Sequence, residues 1–197
     1  MPLASIIQPL TRFLLELSLV TIVTIALIHF HKSFDYMFVL LTAFNIHIFF
    51  WFILGHGLHF IHSMLNMKTF VNKKLIFIYE LKERCMKVGK SRDMVILLYG
   101  GITRGSFDDY SDIDVFVFTS STSISRKVEI YFMIVVYEKL RSVVKGILLD
   151  IDLVENVEYL KTRVRMRKEK FFLVLTGDAD VLNYLKSEAI PLAEYKV

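Results

Sequence analysis

Residues 99–118, "YGGITRGSFDDYSDIDVFVF", decide the fold. The apolar run "MVILLYG" (94–100) leads into this stretch and reads as a buried strand. "DIDVFVF" (112–118) reads as a second strand, and the residues between them form a turn-rich loop. Side chains alternate along a strand, so Asp112 and Asp114 project from one face. Two carboxylates that close repel each other unless a cation sits between them. Ahead of them, Gly100 and Gly101 let a backbone approach phosphate oxygens with no side chain in the way. Arg104 is a fixed cation in the same loop, and Gly105 permits a further tight turn.

Downstream, "STSISRK" opens a helix over about 124–143, with Ser121 or Ser123 as its cap. "GILLDIDLV" (146–154) reads as a third strand, with Asp150 and Asp152 on one face. A third carboxylate joining Asp112 and Asp114 makes a site for one or two Mg²⁺ ions and a triphosphate, suited to in-line phosphoryl displacement. The next helix, 156–171, carries Lys161, Arg163, Arg165, Arg167, Lys168 and Lys170. It reads as a solvated basic face, or as a contact for RNA, anionic lipid or a nucleotide tail. A second Asp-x-Asp, Asp178 and Asp180, has no glycine-rich loop before it and reads as a surface turn.

Upstream, the chemistry changes. The whole chain is 54% hydrophobic with a mean hydropathy of +0.49, and the excess is concentrated in residues 13–61. "FLLELSLVTIVTIALIHF" (13–30) has a single charge, Glu16, and 36–61 has no Asp, Glu, Lys or Arg. The longer run spans roughly 39 Å as a helix, enough to cross a bilayer with some tilt. With "HKSFD" between them, the two segments predict a hairpin of transmembrane helices. No small-residue cleavage site follows the first, which argues against a removed signal peptide. Arg12 before the hairpin and Lys68, Lys73, Lys74, Lys82 and Arg84 after it place both ends in the cytoplasm. His56, His59 and His62 share part of a helix face and read as an interfacial stripe beside Trp51, with metal ligation as the alternative. His47 and Asn45 lie deeper and suit interhelical hydrogen bonds. From 64 to 90 a helical pattern of Phe70, Leu75, Ile78, Leu81 and Cys85 links the halves, ending at Gly89. Cys85 is the single cysteine, so no intrachain disulfide forms, and its amphipathic setting reads as a buried thiol.

The stretch 99–118 resembles the signature of the DNA polymerase beta-type nucleotidyltransferase superfamily. In that pattern a strand enters a Gly-[Gly/Ser] pair, then Arg-Gly, a variable loop, and Ser-Asp-hydrophobic-Asp before an apolar strand. "IDLVENVEYL" and the basic helix after it are similar to the later strand and helix of minimal nucleotidyltransferases, so the likeness covers about residues 75–180. The resemblance implies an α/β (α+β) fold, a small mixed sheet flanked by helices. It implies that Gly100, Gly101, Arg104 and Ser111 hold the nucleotide, and that Asp112, Asp114 and a third Asp ligate Mg²⁺ or Mn²⁺. The third carboxylate would orient or deprotonate the attacking hydroxyl. Asp152 fits the family's strand pattern better than Asp150. One departure is Gly101, where serine is common, which keeps only the backbone amide.

The expected organisation is a membrane hairpin (1–63), a linker helix (64–90) and a nucleotidyltransferase-like domain (91–197). The expected function is a multi-pass membrane-anchored enzyme, with its C-terminal domain in the cytoplasm. It would transfer an NMP from an NTP to a hydroxyl of a protein, RNA or small molecule. The partner domain that usually binds base and acceptor has little sequence left to form it, which points to a helical partner protein or a homo-oligomer. The alternative, favoured by Gly101, is a catalytically silent nucleotide- or partner-binding module that signals to the hairpin.

Overall fold

A computed structural model of the chain describes residues 5, 7–31, 36–54, 68–89, 93–167 and 169–195. Two apolar helices come first, α1 (Ile7–His31) and α2 (Tyr36–Leu54). A mixed α/β domain follows: α3 (Val71–Gly89), β1 (Met94–Tyr99), α4 (Gly101–Arg104), β2 (Ile113–Thr119), α5 (Ile124–Ile130), a π-helical segment (Tyr131–Val136), α6 (Tyr137–Val144), β3 (Leu149–Val154), α7 (Val157–Arg167), β4 (Phe172–Gly177), α8 (Ala179–Ser187) and β5 (Leu192–Glu194).

The five strands form one sheet in the order β3-β2-β1-β4-β5. β1 is central and antiparallel to both β2 and β4, whereas β2–β3 and β4–β5 are parallel. Helices cover both faces, which explains why β1 is buried at every residue and reads as an unbroken apolar run. On one face Ile96, Leu98, Val115, Val117 and Ile151 pack against Phe77, Ile78, Leu81 and Cys85 of α3 and against the π-helical segment. Those α3 side chains are at most 1% exposed, so the helix expected as a linker is built into the domain core. Each such large apolar side chain contributes about 1.5–3 kcal/mol. On the other face Leu97, Tyr99, Phe116 and Phe118 pack beneath α7 and α8.

At the N-terminus Ser5 Oγ accepts from the amides of Ile7 (3.1 Å) and Gln8 (3.4 Å), capping the start of α1. Ile7 then enters the domain core. α1 and α2 pack together, and His47 Nδ1 meets Glu16 Oε2 at 2.9 Å between them. Asn45 donates to Leu41 O of its own helix, at 2.8 Å, so among the described residues the expected interhelical bond is made by His47. One helix, over Ile7–Ala26, is long and apolar enough to cross a membrane by length and composition, and just 6% of that window is buried, unlike a soluble core helix. Among the described residues the second apolar helix does not qualify, its apolar stretch there running over Tyr36–Phe49. Among the described residues the two-span, multi-pass expectation therefore reduces to a single qualifying span. His56, His59 and His62 lie outside the described residues.

Candidate active site

Parallel pairing of β2 with β3 sets Asp114 opposite Asp150 and Phe116 opposite Asp152. Antiparallel pairing of β1 with β2 sets Tyr99 opposite Asp114. One rung of the sheet thus reads Tyr99, Asp114, Asp150 on a single face, with Asp112 just before it and Asp152 one rung along. These residues line a cavity of about 410 Å³ together with Gly100, Arg104, Tyr159, Arg163 and Glu169. Burial, and then the neighbouring Asp112 and Asp150 carboxylates, push the Asp114 carboxyl up to about 8, with partial relief from Arg104. A carboxylate so placed is protonated at neutral pH unless a cation joins the cluster.

The glycine loop fits around that carboxylate. Gly100 has φ +76°, and a Cβ there would stand 1.7 Å from Asp114 Oδ2. Its glycine identity therefore serves the close approach of Asp114. α4 is a single turn closed by Gly105 in the left-handed conformation, whose amide bonds Gly101 O. Gly101 is buried and does not line the cavity, but its neighbourhood is open: a Cβ would meet nothing nearer than Ser111 Oγ at 3.6 Å. Ser111 also stays out of the cavity lining. Its hydroxyl bonds Asp108 Oδ1 (2.8 Å) and tightens the loop. Arg104 lines the cavity while pairing with Glu169 Oε1 at 2.5 Å. Glu169 is 3% exposed and is also reached by the Thr103 hydroxyl at 3.0 Å. The loop arginine thus secures the turn as well as facing the site.

Two further elements brace the carboxylates. The fully buried Lys74 of α3 donates from Nζ to Asp108 O at 2.9 Å and to Ser111 O, directly ahead of Asp112. Asp109 completes this clamp, its Oδ1 accepting from Val71 N (2.8 Å) and its Oδ2 facing Lys68 (3.1 Å). On the opposite side, Gln8 of α1 donates from Nε2 to Asp152 Oδ1 at 3.0 Å, while its Oε1 accepts from Leu153 N at 3.3 Å. The sheet edge at β3 is thereby covered by the start of α1, and Asp152 is oriented by it.

Tyr99, Tyr159, Glu169, Lys74 and Gln8 were not visible in the sequence as site residues. Arg163 figured only as one of six basic residues on a helix that read as a solvated face or a contact for RNA, anionic lipid or a nucleotide tail. Alternation from Asp114 back along the paired strand could have found Tyr99; the others come together only by packing. Asp178 and Asp180, expected as a surface turn, start α8: Asp178 Oδ1 accepts from the amides of Asp180 (2.9 Å) and Val181 (3.2 Å). Ser123 holds the N-cap position of α5 without a side-chain capping bond. Cys85 is buried, and burial pushes its thiol up to about 12, so it is inert at neutral pH.

Residues 78–173, from within α3 to the start of β4, match a family model described as a nucleotidyltransferase domain. The match supports the nucleotidyltransferase superfamily for that stretch, and the five-stranded mixed sheet flanked by helices is consistent with a nucleotidyltransferase-like fold. No curated protein matches the chain.

Proposed function

We propose that the protein is a membrane-anchored nucleotidyltransferase that moves a nucleoside monophosphate from an NTP to a hydroxyl-bearing acceptor. The observation that carries this reading is the row of carboxylates on one sheet face beside Gly100, within a stretch that matches a nucleotidyltransferase domain. The donor set fits a divalent cation: hard carboxylate oxygens, with Asp114 held protonated by its surroundings until a cation joins it. Among the described residues no three carboxylates cage a metal by themselves. That suits Mg²⁺ or Mn²⁺, which take one or two carboxylates and complete their shell with phosphate oxygens and water. Asp112 and Asp114 would hold the ion. Bound there, it would offset charge on the phosphates as pyrophosphate leaves.

This chain's own residues supply the remainder. Asp152, oriented by Gln8, or Asp150, opposite Asp114, accepts the proton of the acceptor hydroxyl. The freed oxygen forms a bond to the α-phosphorus while the bond to the pyrophosphate oxygen breaks. Gly100 keeps the floor of the site clear, and α1 would tie the domain to the membrane on the cytoplasmic side. The acceptor is a protein, RNA or small-molecule hydroxyl, presented by a helical partner or a second copy of the chain.

A catalytically silent nucleotide-binding module is the second reading. Two observations favour it: Gly101 supplies no hydroxyl, and Arg104 is already engaged by Glu169. Binding of labelled NTP to the full chain, with and without Mg²⁺, tests the metal assignment common to both. Wild type should bind in a Mg²⁺-dependent way, and Asp112→Ala and Asp114→Ala should lose that dependence. Equal Mg²⁺-dependent binding by the variants would remove Asp112 and Asp114 from the metal site.

A further inference from the structure

We infer that Arg163, on α7, is the residue that grips the triphosphate of the substrate, in place of the loop arginine Arg104. This rests on the nucleotidyltransferase reading and extends it to the part of the nucleotide being recognised. The expected phosphate-binding cation, Arg104, is paired to the buried Glu169 at 2.5 Å. Arg163 is in the opposite situation. It lines the same cavity, and among the described residues its hydrogen bonding consists of Nε to the Tyr159 hydroxyl at 3.3 Å. That partner is neutral, and Asp152 of the same cavity lining acts on the guanidinium through its charge.

Three rings hold that guanidinium in place. Its carbon lies 5.4 Å from the centroid of Tyr99, 5.4 Å from Phe116 and 5.5 Å from Tyr159. Tyr99 and Phe116 are themselves stacked at 3.9 Å, so part of this support is rigid core. A guanidinium in contact with aromatic rings still has its terminal N–H groups for a planar, bidentate acceptor such as a phosphate. A second donor beside it is also unused. The Tyr99 hydroxyl is buried, lacks a hydrogen-bond partner among the described residues, and belongs to a side chain 3% exposed on the rung of Asp114 and Asp150. A buried donor without an acceptor is costly, and the Tyr99 hydroxyl in the same lining as the half-buried Arg163 guanidinium suits a ligand that brings acceptors. With Asp114 and Asp150 on the same rung as Tyr99, that ligand is an anion that arrives with its own cation, which a Mg²⁺-triphosphate is.

The test uses the full chain in detergent and titrates Mg²⁺ with inorganic tripolyphosphate, ATP, ADP and AMP by calorimetry. Wild type should bind tighter with each added phosphate. Arg163→Gln should weaken tripolyphosphate and ATP binding about ten- to hundredfold while leaving AMP binding nearly unchanged. Arg163→Lys should recover part of the loss, and unchanged melting of both variants shows that the fold is intact. If Arg163→Gln lost stability together with affinity for every ligand, AMP included, Arg163 would be a packing residue and the inference would fall. Wild-type-like tripolyphosphate affinity in Arg163→Gln, with binding abolished in Asp114→Asn, overturns the role of Arg163 and leaves the nucleotidyltransferase reading standing. Absence of binding in wild type removes both.

Discussion

Replacing Asp114 with Asn should make the metal-free protein more stable above neutral pH, because the native site holds a carboxylate at a cost. Burial and the nearby Asp112 and Asp150 displace its pKa from 3.8 up to about 8. Between those values the native state keeps a proton that the unfolded chain has released. Wild-type stability therefore falls as pH rises through this window, and levels off above about 8. At about 1.36 kcal/mol per pH unit the ceiling is about 6 kcal/mol. Water in the cavity and relaxation around the carboxylate bring the expected gain for Asp114→Asn to about 1–3 kcal/mol. For a chain of this size that corresponds to a rise in melting temperature of about 2–12 °C at pH 9. Near pH 5 the difference should be about a third of that, since the cost starts to build only at the unfolded value of 3.8 and grows up to about 8. Thermal unfolding of the detergent-solubilised chain at pH 5, 7 and 9 reads the trend, and Mg²⁺ at pH 9 should stabilise wild type but not the variant. A variant equally stable relative to wild type at every pH, or less stable at pH 9, would refute the crowding of carboxylates on which the site rests.

Three other substitutions probe the loop. Gly100→Ala places a Cβ 1.7 Å from Asp114 Oδ2 at a positive φ, so it should cost at least about 1–2 kcal/mol and abolish Mg²⁺-dependent stabilisation, read by melting with and without the ion. Gly101→Ser has room, its nearest neighbour standing at 3.6 Å, so stability should stay within about 0.5 kcal/mol and NTP affinity, measured by calorimetry, should hold or increase. Lys74→Met keeps the buried stem but leaves the carbonyls of Asp108 and Ser111 without their donor. It should cost about 1–3 kcal/mol in chemical denaturation and speed amide exchange across residues 106–112.

The strands and loop were legible because their signals are local. Period-2 alternation fixed the common face of Asp112 and Asp114, and the apolar run 94–100 announced a strand covered on both sides. The order of the strands was not legible, since pairing of β1 between β2 and β4 depends on contacts distant in sequence. For the same reason Asp150 and Asp152 could not be separated: both share a face, and only the register shows one opposite Asp114 and the other bonded to Gln8. Arg163 read as one charge in a basic helix, because what distinguishes it from Lys161 is a set of rings from β1, β2 and α7. Lys161 itself is occupied by Glu158 at 2.9 Å and Glu188 at 2.7 Å. Lys74 looked like a flanking membrane charge and is instead a buried clamp on the loop.

The central claim is nucleotidyl transfer, and incubation with α-labelled NTPs tests it most directly. The full chain, each of the four NTPs in turn, Mg²⁺ and candidate acceptors should yield pyrophosphate together with label covalently attached to an acceptor or to the chain itself. Both products should vanish in Asp112→Asn and Asp114→Asn. Tight, Mg²⁺-dependent NTP binding by wild type with no pyrophosphate and no transferred label would contradict the account and leave a binding module in its place.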